Sequence, residues 1–252
     1  MKVWKHVGEW RTARAARDMT GRSIGFVPTM GALHTGHRAL LARARADNDI
    51  VVMSVFVNPA QFDDPADLAA YPRTLEADVS LAGGLVDHII APEAKDIYPD
   101  NYNYRVSEWK LSRTLEGVQR PGHFDGMLTV VLRLLNLVQA QRAYFGAKDW
   151  QQLKLVEGMV RAFFLPVEII ACETERDPDG LALSSRNRRL SREARAKAAA
   201  FPRALRSAPT AAAAREELQA RGFAVDYVED LDGRRLAAVR IEKVRLIDNV
   251  AL

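Results

Sequence analysis

Ile24-Gly25-Phe26-Val27-Pro28-Thr29-Met30-Gly31-Ala32-Leu33-His34-Thr35-Gly36-His37 reads as a buried strand, a glycine-containing turn and the first turn of a helix. The run ends in small residues and passes into an amphipathic segment with Ala39, Leu40, Leu41 and Ala44 on its apolar side. That pattern predicts a parallel strand feeding a crossover helix, and ligands of open parallel sheets bind at such strand ends. His34 and His37 are three apart, so within one helical turn their side chains would share a face and point at whatever the helix N-terminus holds. Unpaired backbone N–H groups and the positive end of the helix dipole favour phosphate there, and two imidazoles add donors. Gly31 and Gly36 would let the backbone come close to such a ligand. The alternative makes one histidine a helix cap and the other a packed core residue.

Working outward, residues Glu9 to Asp18 predict a short surface helix and Met19 to Arg22 the turn before the strand. On the other side, Asp49 to Val57 is continuously apolar and rich in β-branched residues, as a strand covered on both faces should be. It ends in Asn58-Pro59-Ala60-Gln61-Phe62, where Asn58 and Gln61 offer uncharged donors and acceptors suited to hydroxyls and a carboxylate. Val86 to Ala91 predicts a third strand, with His88 a structural residue in it, and Arg105 to Leu115 a strand with a short helix. Glu116 to Gly126 alternates charged, aromatic and glycine residues, which predicts an irregular, shaped loop. Val130, Val131, Leu134, Leu135 and Val138 are spaced for a core helix over Met127 to Gln141.

Ala143 to Gln152 repeats the theme of strand, glycine turn and helix, with Gly146 at the turn. Lys148 at a helix start opposes the dipole unless an anion lies between them, and a bound phosphate would resolve the conflict. Asp149 can accept from ribose hydroxyls, and Gln152 falls one turn along on the same side; an exposed Lys148–Asp149 pair is the plainer reading. Val167 to Cys172 closes an alternating pattern that predicts an α/β fold, a Rossmann-like doubly wound parallel sheet. We expect this domain to span residues 1–173. In Arg176 to Asn187, the two hydroxyls of Ser184 and Ser185, Arg186 and neighbouring N–H groups make a second phosphate clamp by residue type. Helices over Ser191 to Leu205 and Thr210 to Arg221, then short strands over Val225 to Glu229, Leu236 to Ile241 and Val244 to Ile247, predict a smaller, lid-like C-terminal α+β domain over 174–252.

Composition narrows the partners. The 252 residues are 48% hydrophobic and 27% charged, with a net charge of +4, as in an ordinary globular protein. A single cysteine, Cys172, excludes an internal disulfide and a multi-cysteine metal cluster and fits a reducing, cytoplasmic home. No run approaches the roughly 18 apolar residues of a membrane span, so no membrane partner is expected. The basic excess is local: Cys172 to Arg206 holds nine basic and five acidic residues with almost no aromatics. A nucleic-acid partner would call for aromatics interleaved with the charge, whereas a triphosphate does not.

Seven blocks in order, PTMGALHTGH at Pro28 to His37, FVNPAQF at Phe56 to Phe62, YPRT at Tyr71 to Thr74, EGVQRPGHFDGMLTVV at Glu116 to Val131, YFGAKDWQQL at Tyr144 to Leu153, DGLALSSRN at Asp179 to Asn187 and RLIDN at Arg245 to Asn249, make the chain resemble the pantoate–β-alanine ligase family. The resemblance implies condensation of pantoate with β-alanine at the expense of ATP, through a pantoyl adenylate, giving pantothenate, AMP and pyrophosphate. It implies that His34 and His37 act on the triphosphate, with His37 the proton donor, and that Lys148, Ser184, Ser185 and Arg186, with Leu183 beside them, hold phosphates and the leaving pyrophosphate. Met30, Gly31, Gly146 and Asp149 would hold adenosine; Gln61 and Gln152 would bind pantoate, with Asn58 helping. Glu116 and Arg120 would stand as wall residues near the substrate carboxylate and amine. Mg²⁺ would arrive on ATP without a dedicated protein metal site, and a homodimer is implied. The chain departs from the family at Ala147, where Glu is usual, at Thr35 and Trp150, and in a trimmed segment between Glu229 and Leu236. A nucleotidylyltransferase acting on another acceptor would share the two histidines and the sheet without needing the paired glutamines. A non-catalytic nucleotide-binding protein would keep the fold alone.

Overall fold

The computed structural model describes residues 1–16 and 19–252. Six strands form one sheet: β1 (Lys2–Trp4), β2 (Ile24–Thr29), β3 (Ile50–Val55), β4 (His88–Ile90), β5 (Arg142–Gly146) and β6 (Glu168–Cys172), in the order β1-β4-β3-β2-β5-β6. The pairings β1/β4, β4/β3, β3/β2 and β2/β5 are all parallel. Ile24, Phe26, Val27, Val51, Val52 and Met53 are fully shielded from solvent, which is why β2 and β3 read as unbroken apolar runs rather than alternating ones. Crossover helices Thr35–Asp47 and Trp150–Ala162 follow β2 and β5. The expected Rossmann-like fold is therefore present, and a second sheet, antiparallel, is built from β7 (Ala224–Leu231), β8 (Arg234–Ile241) and β9 (Val244–Ala251).

The chain divides into two units. The first comprises Met1–Leu33, His37–Phe145 and Gln151–Cys172; the second comprises His34–Gly36, Gly146–Trp150 and Glu173–Leu252. The first unit has a core around Val27, Leu41, Met53, Ile89 and Tyr144. The second has its own, around Phe201, Leu205, Leu218, Val239 and Leu246.

Several local expectations are corrected. The N-terminal helix runs Val7–Arg14, and its Trp10 is fully buried and donates from Nε1 to the Leu137 carbonyl at 2.9 Å, so it is not a mere surface helix; positions 17 and 18 lie outside the described residues. Among the described residues no strand forms in Arg105 to Leu115, where the regular element is a 3₁₀ turn, Leu111–Arg113. The central helix starts at His123, four residues early, because Gly122 at φ +80 turns the chain into it, and it stops at Val138 with Gln139 left-handed. The long helix expected from Ser191 divides into Arg192–Ala198 and Ala200–Ser207. Pro202 explains the break, since it has no N–H to give and its ring crowds the carbonyl of Ala198.

Candidate active site

In the first unit, the turn after β2 is built from polar groups that no local pattern announces. Thr29 donates its hydroxyl to the Ser54 carbonyl at 2.6 Å and accepts from the Gly31 N–H at 3.1 Å. Gly31 and Ala32 follow with φ of +80° and +51°, two left-handed residues in succession. Asp78, on the helix Leu75–Ala82 and 2% exposed, accepts from the Leu33 N–H at 2.8 Å, the Ala32 N–H at 3.2 Å and the Thr74 hydroxyl at 3.4 Å. A Cβ on Gly31 would lie 2.8 Å from that carboxylate and 3.0 Å from Val55. Gly31 thus makes room for Asp78 and Val55. Asp78 was missed by sequence reasoning: beside Glu76 in Leu75-Glu76-Ala77-Asp78-Val79 it reads as one more acidic residue in the first turn of a helix, and nothing local sets it apart.

At the end of β3 the expectation for Asn58 is revised. Asn58 is buried and all its bonds are internal: Oδ1 accepts from the Ala60 N–H (3.2 Å) and the Tyr98 hydroxyl (2.6 Å), while Nδ2 donates to the Gln61 Oε1 (2.9 Å) and the Gly126 carbonyl (3.2 Å). A backbone donor on one side and a backbone acceptor on the other fix which way this amide faces. Because Gln61 accepts through Oε1, the other group of its amide is the NH₂ donor. Asn58 is thus tied to Gln61. Burial holds the Tyr98 hydroxyl in its protonated form, and Arg133 secures the Tyr98 segment by bonds to the Ile97 carbonyl (2.7 Å) and both carboxylate oxygens of Asp100 (2.6 and 2.9 Å). Gly126 is required here: a Cβ would overlap the Ala60 carbonyl and lie 2.7 Å from the Gln61 nitrogen.

Arg120 and His123 close the same cluster. Arg120 can only donate, so its Nη1 contact at 3.2 Å makes His123 Nε2 the acceptor and leaves the proton on Nδ1, which donates to the Gln61 carbonyl at 2.8 Å. Burial and then the Arg120 charge push the imidazole down to about 4, so it is neutral. Glu116 is buried, and its backbone N–H donates to Gln151 Oε1 at 3.1 Å; Gln151, another residue sequence reasoning passed over, also ties the Leu111 and Thr114 carbonyls at 2.8 Å each. Gln152 is half-buried on the helix after β5, and His37 is half-buried in the first turn of Thr35–Asp47, not packed in the core.

The second unit gathers cations. His34 lies one residue before the helix, and its Nδ1 accepts from the Gly36 N–H at 3.1 Å, so this histidine does cap the turn. With Nδ1 an acceptor, the ring proton sits on Nε2. Burial lowers its pKa, and the charges of Lys148 and Arg188 push the same way against Asp149. Gly36 accommodates the ring, since a Cβ would come within 2.9 Å of it. Lys148, with 20% of its side chain exposed, pairs at 3.8 Å with Asp149, whose own side chain is 46% exposed, so the pair is present with its lysine partly buried. Ala147, the departure from the family pattern, is buried at 5%.

The turn Ala147–Asp149 is secured by Asn249, whose Nδ2 donates to the Ala147 and Lys148 carbonyls at 2.9 Å each. The Ser184 hydroxyl accepts from the Arg186 N–H at 3.3 Å and caps the 3₁₀ turn Ser185–Arg189 that follows Leu183. Asn249, Asp248 and Arg176 were all in the sequence without a role assigned; RLIDN was legible as a block, not as an anchor. Among the described residues no group of three or more His, Cys, Asp or Glu could hold a metal ion, and no helix is long and apolar enough to cross a membrane.

A doubly wound parallel sheet with polar clusters at the ends of β2 and β3 is the framework of a nucleotide-handling α/β enzyme, and the second unit has its own histidine among cations. The model of the pantoate–β-alanine ligase family matches residues 2–251, and the chain belongs to that family. The pantothenate synthetase of Bdellovibrio bacteriovorus is 52% identical over 95% of this chain and 96% of its own length. That of Legionella pneumophila is 46% identical over the whole of both. Among solved structures, the pantoate–β-alanine ligase of Francisella tularensis, crystallised with β,γ-ATP and β-alanine, superposes with a TM-score of 0.93 at 40% identity, covering 100% of this chain and 97% of that one. The Thermus thermophilus pantothenate synthetase gives 0.90 at 44%, covering 100% and 99%.

Proposed function

We propose that the chain ligates pantoate to β-alanine through a pantoyl adenylate. The observation that carries the reading is the family match across residues 2–251. A carboxylate oxygen of pantoate attacks the α-phosphorus of ATP, forming a P–O bond as the bond to the β-phosphate breaks and pyrophosphate leaves. The amine of β-alanine, having lost a proton, then attacks the activated carbonyl; the C–N bond forms and AMP departs.

The side chains suit these steps, unit by unit. In the second unit Lys148, Ser185 and Arg186, with Ser184 and Leu183 at the turn, take up phosphate charge, and His34 offers an Nε2–H; Gly146 and Asp149 face the ribose. In the first unit Gln61, through its NH₂, donates to a carboxylate or hydroxyl of pantoate, and Gln152 is its second amide. His37 gives its proton to the leaving pyrophosphate, and Met30 and Gly31 contact adenosine. Loss of charge from the carboxylate and its build-up on the phosphates call for fixed donors more than for covalent help. Mg²⁺ enters on ATP as part of the substrate. The enzyme works in the cytoplasm as a homodimer, which light scattering tests through a mass twice that of the chain.

The deciding experiment is pantoate-dependent ATP–pyrophosphate exchange with Mg²⁺, first without and then with β-alanine. Exchange on pantoate alone, diverted to AMP and pantothenate when β-alanine is added, is the expected result; ATP binding with no exchange on pantoate would sink the reading. The His37→Ala protein should fold and exchange at least a hundredfold more slowly, and an unchanged rate removes His37 from the mechanism.

A further inference from the structure

Two neighbouring residues of β9 hold both segments of the second unit that bear phosphate-binding side chains. Asn249 is 2% exposed and Asp248 3%. The Asn249 amide is oriented by Arg234, whose Nε donates to Oδ1 at 2.7 Å, so its NH₂ must face the carbonyls of Ala147 and Lys148. The same Arg234 lies over the Trp150 ring at 4.6 Å. Asp248 takes a bidentate pair from Arg176, Nη1 to Oδ2 at 2.7 Å and Nη2 to Oδ1 at 2.8 Å. Arg176 also donates to the Gly180 carbonyl at 3.0 Å and the Asn249 carbonyl at 3.1 Å. Gly180 lies in the reversal that brings Ala182 back beside Arg176 and delivers Leu183 to the Ser184–Arg186 turn.

We infer that the dipeptide Asp248-Asn249 is the positioning device of the phosphate grip: Asn249 fixes the backbone from which Lys148 projects, and Asp248, through Arg176, fixes the hairpin that presents Ser184 to Arg186. Neither side chain has a polar group to spare for a ligand, since both carboxylate oxygens of Asp248 and both ends of the Asn249 amide are already bonded within the protein. They act through the segments they hold. A bare lysine on a free turn would lose conformational entropy on meeting a triphosphate; a turn held by two hydrogen bonds has already lost it. The inference rests on the proposed phosphate role of Lys148 and Arg186.

The test measures ATP affinity by titration calorimetry and the KM values for ATP, pantoate and β-alanine in four variants. Asn249→Asp keeps the oxygen for Arg234 and the shape of the side chain but replaces the NH₂ with an acceptor facing two carbonyls. It should weaken ATP binding about tenfold while leaving the pantoate KM within twofold. Arg234→Met, at a half-buried position, removes the group that orients the amide while keeping the backbone that pairs β8 with β9, and should weaken ATP about threefold; it decides the matter if Asn249→Asp does not fold. In a Lys148→Ala background the Asn249→Asp change should add nothing further, because its effect passes through Lys148. A folded Asn249→Asp protein, or an Arg234→Met protein, with wild-type ATP affinity overturns the inference, as does full additivity with Lys148→Ala. If Lys148→Ala itself binds ATP normally, the phosphate reading falls, and the inference falls with it for that separate reason.

Discussion

Replacing Asp78 with Asn should cost the first unit about 2–3 kcal/mol. The carboxylate accepts three hydrogen bonds in a place 2% exposed, two of them from the N–H groups of Ala32 and Leu33. An Asn can keep the Leu33 bond through its oxygen, but its NH₂ then faces the Ala32 N–H donor to donor. A buried hydrogen bond to a charged group is worth roughly 1.5–3 kcal/mol, and the bond lost is the one at a left-handed alanine, φ +51°, a conformation that itself costs about 1–2 kcal/mol. At roughly 2–4 °C per kcal/mol for a chain of this size, thermal denaturation followed by circular dichroism should show a midpoint about 5–10 °C lower. Ala32→Gly provides the companion measurement. Glycine adopts positive φ without strain, so it should be neutral or slightly stabilising alone, and in the Asp78→Asn protein it should recover about 1 kcal/mol. If Asp78→Asn melts within a degree of the parent, the carboxylate does not hold the turn; if glycine recovers nothing, backbone strain at Ala32 is not what the carboxylate opposes.

Tyr98→Phe removes one 2.6 Å bond to Asn58 and should raise the pantoate KM about threefold through the freed Gln61 amide, with the ATP KM unchanged; equal rises in both would argue for a general loosening instead. Gly126→Ala places a methyl group against the Ala60–Gln61 backbone, and we expect a loss of more than about 2 kcal/mol, read from urea midpoints, together with a weaker pantoate KM. The pH dependence follows from His123, whose folded pKa of about 4 lies below the usual 6.5. The unfolded chain therefore binds the proton first. The contribution is complete above pH 6.5 and is lost as pH falls towards 4, an effect of up to roughly 3 kcal/mol. Urea midpoints from pH 7.5 to 4.5 should fall more steeply for the parent than for His123→Gln, and parallel curves would refute the assignment.

Much of the fold was legible in the sequence because burial on both faces of a parallel sheet leaves its mark residue by residue: β2 and β3 are apolar runs, and the helices between strands carry their 3.6-residue spacing. The place of Lys148, in the short turn just before the helix that starts at Trp150, was legible for the same local reason. What stayed hidden depends on partners far along the chain. Asp78 looks like any polar residue on a short helix until Ala32 and Leu33 are known to lie against it. Asn58 reads as a ligand-binding amide until Tyr98 and Gly126 are seen to use up its bonds. β1, only three residues long, has no periodicity to read and exists because β4 offers it an edge. In Ser191 to Leu205 the helical pattern was real, but a single proline outweighed it.

The strand order has a further consequence, for the timing of synthesis. β1 pairs with β4, more than eighty residues on, so the first strand made has no partner until most of the sheet around it exists. The turn at Ala147–Asp149 waits longer still, for the amide of Asn249 about a hundred residues downstream. By contrast, β7, β8 and β9 meet their neighbours across adjacent turns and can pair as they emerge. A chain emerging from the ribosome would thus acquire its parallel sheet first and the finished Lys148 turn among the last, when β9 arrives. Incomplete chains would then have a folded scaffold with nothing yet fixing the turn that bears the lysine.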